Sequence, residues 1–84
     1  MKGLWIPLGC YTWVGVDNTS EIEGKPLFIY AMIQIDGIYY DLGYKIQGSD
    51  WVEHDKPRMW CDEFVARLTL IDRKEYFSRD YVTI

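Results

Sequence analysis

Residues 27–46 read L-F-I-Y-A-M-I-Q-I-D-G-I-Y-Y-D-L-G-Y-K-I, two long apolar segments joined by Asp36-Gly37. Asp-Gly between alternating apolar positions is the strongest local signature of a β-hairpin with a two-residue type I′ turn. A loop there pairs Ile35 with Ile38, Ile33 with Tyr40, Ala31 with Leu42, Ile29 with Tyr44 and Leu27 with Ile46. Strand side chains alternate between faces, so all of these residues project to one side. Each is apolar or aromatic. On the other side Phe28, Tyr30, Met32 and Gln34 face Tyr39, Asp41, Gly43 and Lys45. A slip of one residue would mix the two sets, so pattern and turn chemistry select the same register.

The stretch 1–16 also alternates. Leu4, Ile6, Leu8, Cys10, Thr12, Val14 and Val16 share one parity; Trp5, Pro7, Gly9, Tyr11, Trp13 and Gly15 share the other. Pro7 and Gly9 fit poorly in a central strand, which predicts an irregular start and then a strand over 10–16. Residues 17–26 are polar, carry turn formers and read as a surface loop. Residues 47–58 form a second irregular region, with Trp51 and Val52 as apolar islands. The segment 60–71 (W-C-D-E-F-V-A-R-L-T-L-I) fits two patterns. As a helix capped by Asp62 it aligns Phe64, Leu68 and Ile71; as a strand it gives Phe64, Ala66, Leu68 and Leu70 one clean apolar face, the favoured reading. A charged turn or single helical turn at 72–75 and a last strand at 80–84 complete the chain. The pattern predicts a mainly β fold, a small antiparallel barrel or sandwich of about five strands around the central hairpin. The alternative is α+β, with 62–76 as a helix packed on an antiparallel sheet.

Length bounds this picture to one β-rich domain over 1–84, which must pack densely to bury enough surface. Aromatic residues, 17% of the chain, supply that density. The net charge of −4 argues against nucleic acid as a partner, because phosphate binding calls for a basic surface. The opening M-K-G-L-W-I-P-L-G-C has the outline of a lipoprotein cleavage site. Its apolar run is too short and contains Pro7, so no signal peptide is expected. No run is long enough for a membrane span. A cytoplasmic protein is therefore expected, with Cys10 and Cys61 as reduced, buried thiols.

Chemistry-bearing residues are sparse. His54, the one histidine, lies between Glu53 and Asp55, but neighbours in a loop do not face a common point. Cys61 with His54 lacks an orienting third residue or an oxyanion site. The acids around residues 50–63 match neither a zinc nor a calcium spacing, and the glycines form no phosphate loop. No catalytic residue, metal site or cofactor is expected, and the chain reads as a non-enzyme.

The surplus of aromatic rings points elsewhere. Phe28, Tyr30 and Tyr39 lie on the hairpin's second face, Tyr11 and Trp13 on the first strand, and Trp51 and Trp60 in loops. Contiguous exposed rings mark interaction surfaces. The expected function is a small acidic protein-interaction module that inhibits or masks a surface of a partner, as inhibitors, immunity-type proteins and viral anti-defence proteins do. Those rings would fill apolar pockets, while Asp50, Glu53 and Asp55 would meet a basic surface on the partner. A homo-oligomer burying the hairpin's second face is a further way to cover the rings. The alternative is a β-barrel that binds nucleic acid or a small ligand by stacking on its aromatics.

Overall fold

In the computed structural model, which describes residues 4–19 and 21–78, Asp36 and Gly37 both take positive φ, 52° and 82°. That is the left-handed geometry a type I′ turn requires. The turn joins β4 (Phe28–Ile35) to β5 (Ile38–Ile46), and these two long strands hold the middle of the sheet. Pairing follows the predicted register through Ile35/Ile38 and Ile33/Tyr40.

Beyond that point the register departs from the expectation. Met32 opposes Asp41, but Ala31 opposes Gly43, leaving Leu42 as the extra residue of a β-bulge. The Gly43 N–H donates to the Asp41 carboxylate at 3.0 Å and closes the bulge. The predicted pairs Ala31/Leu42, Ile29/Tyr44 and Leu27/Ile46 are therefore replaced by Ala31/Gly43, Tyr30/Tyr44, Ile29/Lys45 and Phe28/Ile46. One inserted residue reverses the alternation. Tyr44 moves to the face of Phe28 and Tyr30, and Lys45 moves to the face of Ile29. Gly43 is needed because a Cβ there would lie 2.5 Å from the Val52 carbonyl oxygen.

The remaining strands are β1 (Trp13–Asp17), β6 (Val52–Met59) and β7 (Leu68–Asp72). Together they give an antiparallel sheet in the order β6-β5-β4-β1-β7. The fold is mainly β around the hairpin, as expected, but the sheet stays open, with β6 and β7 as its edges, and does not close into a barrel. Within 17–26 a small ladder, β2 (Glu21–Ile22) with β3 (Lys25–Pro26), turns at Glu23-Gly24.

Three further expectations are corrected. Residues 52–59 form an edge strand instead of a loop; its charges and Pro57 suit a sheet edge, where polar side chains and a missing N–H are tolerated. The segment 60–71 is neither one strand nor one helix. It divides into α1 (Asp62–Val65), with Cys61 rather than Asp62 at the N-cap position, and strand β7. The strand expected over 10–16 begins only at Trp13, because Leu8–Cys10 winds into a 3-10 turn. A second short helix, α2 (Arg73–Phe77), starts where the Asp72 carboxylate accepts the Lys74 N–H at 2.9 Å. The strand expected at 80–84 lies outside the described residues.

One face of the sheet carries the main core. Val14, Val16, Ile29, Ala31, Leu42 and Ile71 are buried there with Tyr11 and Tyr76, and Ile6, Leu8, Ile33 and Trp51 pack against them. The Arg73 guanidinium fastens the N-terminal segment over this face. It donates to the carbonyls of Gly9 (3.0 Å) and Tyr11 (3.4 Å) and sits 4.3 Å from the Tyr11 ring centre. Met32 and Leu68 are buried on the opposite face, in space left by Gly15, where a Cβ would come within 2.7 Å of the Met32 sulfur.

Candidate interaction face

Alternation that sends Ile29, Ala31 and Leu42 to the core sends Phe28 and Tyr30 to the other face, and the bulge adds Tyr44. Trp60 reaches it from beyond β6, its N–H bonded to the Tyr39 carbonyl at 2.9 Å. Phe64 comes from α1. These rings form one connected array. Phe28 lies 6.4 Å from Tyr30 and 6.4 Å from Tyr44, centre to centre. Tyr30 meets Trp60 edge-on at 5.5 Å and Phe64 at 6.3 Å. Trp60 and Phe64 stack in parallel at 3.9 Å, with the Arg67 guanidinium 5.1 Å from the Phe64 centre. All five rings are only half buried.

The array surrounds a hollow of about 210 Å³ lined by Phe28, Tyr30, Asp41, Tyr44, His54, Arg58 and Trp60. At its floor is Asp41, 1% exposed. Its carboxylate faces His54 Nε2 at 3.1 Å, and the imidazole in turn lies 5.8 Å from the Tyr44 ring. Burial pushes the Asp41 carboxyl above the ordinary carboxylate range, and His54, the Gly43 N–H and Arg58 pull it partly back. Burial also raises the Tyr30 hydroxyl, reinforced by Asp17 and Asp41 and opposed by Arg58 and Arg67. The Trp60 indole N–H is buried with no hydrogen-bond acceptor among the described residues. A hollow of this size holds a single side chain or one flat ring, below the range typical of larger ligands.

Of the residues predicted to bind a partner, Phe28, Tyr30 and Trp60 come together here. Trp13 and Tyr39 lie on the same face by register, opposite Met32 and Gln34. Tyr11 and Trp51 do not. Tyr11 is 5% exposed and packs against Trp51, ring centres 5.5 Å apart, within the core on the other side. The Arg73 carbonyl clamp and the 3-10 turn hold Tyr11 inward, and burial raises its hydroxyl against the pull of Arg73. Glu53 also serves the core side, accepting the Leu8 N–H at 3.0 Å. Asp50 and Asp55 are exposed. Cys10 and Cys61 are free and exposed, not the buried thiols expected.

Asp41, Tyr44, His54, Arg58 and Phe64 were not among the predicted site residues. The available cue was Asp41-Leu42-Gly43, an Asp followed two residues later by Gly inside an apolar strand, which is the composition of a side-chain-closed bulge. Among the described residues no group of His, Cys, Asp and Glu side chains is arranged to hold a metal ion, and no helix is long and apolar enough to cross a membrane. The chain matches no family model, no curated protein and no solved structure.

Proposed function

We propose that this chain is a non-catalytic binding module that captures a protein partner on its aromatic face. The observation that carries the reading is the connected array of Phe28, Tyr30, Tyr44, Trp60 and Phe64 around an open hollow, on a sheet face that α1 covers only at one end. Half-buried rings of this kind gain most from full desolvation, and Trp and Tyr dominate the energetics of protein interfaces. An apolar side chain of the partner would enter the hollow. The net charge of −4, with Asp50 and Asp55 exposed, favours a partner whose surface is basic. Masking such a surface is the mode of action that suits a chain of this size. The Asp41–His54 pair has a structural task, holding the bulge and the edge strand together.

The test is site-specific photo-cross-linking in a lysate. A cross-linker replacing Arg58, at the rim of the hollow, should capture a discrete partner, and one replacing Lys74 on α2 should not. Capture should be lost in Phe28→Glu. Equal capture from both positions, or capture indifferent to Phe28→Glu, overturns the proposal.

A second reading, stacking of a nucleobase, is favoured by one observation. The Trp60–Phe64 stack carries Arg67 at its side, and the Trp60 indole N–H lacks an acceptor among the described residues. Titration with labelled single-stranded oligonucleotides decides between the two: salt-sensitive binding abolished by Trp60→Leu would put the nucleic acid first.

A further inference from the structure

A second cavity, of about 310 Å³, opens on the opposite side of the sheet. Its place follows from alternation: Ile29 and Lys45 line it, whereas their chain neighbours Phe28 and Tyr44 line the aromatic hollow. Pro26, Leu27, Trp51, Tyr76 and Phe77 provide the rest of its apolar wall, from the end of β3, the residue before β4, the turn before β6 and helix α2. At a liquid-like share of about 30 Å³ per water-sized group, it holds roughly ten non-hydrogen atoms.

Its charge pattern departs from that of the chain. Acids outnumber bases 13 to 9 overall, yet among the described residues no acid lines this cavity, and two lysines, Lys25 and Lys45, do. Neither lysine makes an ion pair among the described residues. Both are half buried, the exposure typical of a lysine that packs its stem on apolar surface and keeps its ammonium group in water. Lys25 is placed by the tight β2–β3 ladder and Lys45 by the shifted register past the bulge. Two elements distant in sequence thus bring like charges to one apolar cavity, an arrangement that an anion relieves.

We propose that this cavity binds a small organic carboxylate with an apolar body, a ring or short branched chain seated against Leu27, Ile29, Trp51 and Phe77. Its carboxylate accepts hydrogen bonds from Lys25 and Lys45. The site is independent of the aromatic face and of the partner proposed for it.

Titration of the ¹⁵N-labelled chain with 4-phenylbutyrate tests this. The amide signals of Leu27, Ile29, Gln47 and Gly48 and the Trp51 indole signal should shift together. The neutral isostere 4-phenylbutyramide should bind about tenfold more weakly, since a charge-assisted hydrogen bond is roughly twice as strong as a neutral one. The double variant Lys25→Met, Lys45→Met should erase the difference between acid and amide. Equal binding of acid and amide by the unaltered chain overturns the proposal, as does the lack of any shift at these residues at millimolar phenylbutyrate. Shifts confined to Phe28, Tyr44 and Trp60 overturn it too. The comparison of acid with amide needs no variant to fold.

Discussion

The two faces of the sheet are built by the same alternating strands and have opposite fates. On one, aliphatic side chains from β1, β4, β5 and β7 meet a cover made of the 3-10 turn, Tyr11, Trp51 and Tyr76, locked by Arg73. On the other, rings of similar size meet a four-residue helix, the His54 and Arg67 side chains and one another. The aliphatic face repays its ordering by burying Val14, Ala31, Leu42 and Ile71 almost fully, at about 25 cal/mol per Å². The aromatic face keeps apolar area in water and holds a buried carboxylate beneath it. A short domain has little apolar surface to spare. The asymmetry supports the proposal that the aromatic face captures a partner.

The comparison breaks most visibly at Leu42, the bulge residue, 1% exposed among the core side chains. Leu42→Ala should cost about 3 kcal/mol, from lost burial and the cavity left behind. Urea denaturation would show this as a lowered midpoint with an unchanged slope. A loss below about 1 kcal/mol would mean that the aliphatic face is not the dominant core.

Next in size is Gly43→Ala. The added methyl would meet backbone, 2.5 Å from the Val52 oxygen and 3.2 Å from the Glu53 Cα, so β5 and β6 must separate. About 2 kcal/mol is the expected cost of such overpacking. Faster amide exchange along β6 than along β4 would locate the damage. Because β6 carries His54 and Arg58, the hollow should deform in the same variant.

How far the two faces were legible in the sequence follows the range of the forces involved. The turn at Asp36-Gly37 and the aliphatic set ending at Ile33 and Tyr40 depend on local chemistry and period-two alternation, and both were readable. The bulge depends on a bond from the Asp41 side chain to the Gly43 backbone, and strict alternation passes over it. That one residue misplaced Tyr44 and Lys45, which now line different cavities. Parity with Trp13 in a strand over 10–16 turns Tyr11 outward, but that strand begins only at Trp13, and a ring in a loop, such as Trp51, can turn either way. Arg73, 62 residues away in the chain, holds Tyr11 inward and Trp51 packs on the Tyr11 ring, contacts no local pattern encodes. Strand β6 was missed because V-E-H-D-K-P-R-M has no apolar alternation. Its pairing with β5 and the Glu53 anchor on Leu8 make the strand.

Smaller in effect is the charge under the aromatic face. Burial is the leading cause that raises the Asp41 carboxyl, so the folded chain keeps this proton after the unfolded chain has released it. With its folded value raised, this carboxyl favours the folded state fully below the ordinary carboxylate range. That contribution is lost as pH climbs from there to the raised value. Asn at position 41 keeps an acceptor for the Gly43 N–H but does not titrate. The stability of the parent relative to Asp41→Asn should therefore fall as pH rises through that interval. Parallel curves for the two proteins would show that the carboxyl is better solvated than its 1% exposure implies.

The smallest effect on stability should be the one that sharpens the comparison most. Phe28 is half exposed, so Phe28→Ala removes a ring that water already touches and whose neighbours Tyr30 and Tyr44 can close in at about 6 Å. The expected loss is about 1 kcal/mol, well under the 3–5 kcal/mol typical of a buried Phe. On binding the order inverts. A ring at the edge of a desolvated hollow is where interface energy concentrates, and truncation there typically costs 2 kcal/mol or more, about a thirtyfold loss of affinity. Denaturation and partner capture measured on the same preparation give the two numbers together. A large stability loss with unchanged capture would make Phe28 a core residue and the aromatic face a second core. A small loss with abolished capture would mark that face as the working surface.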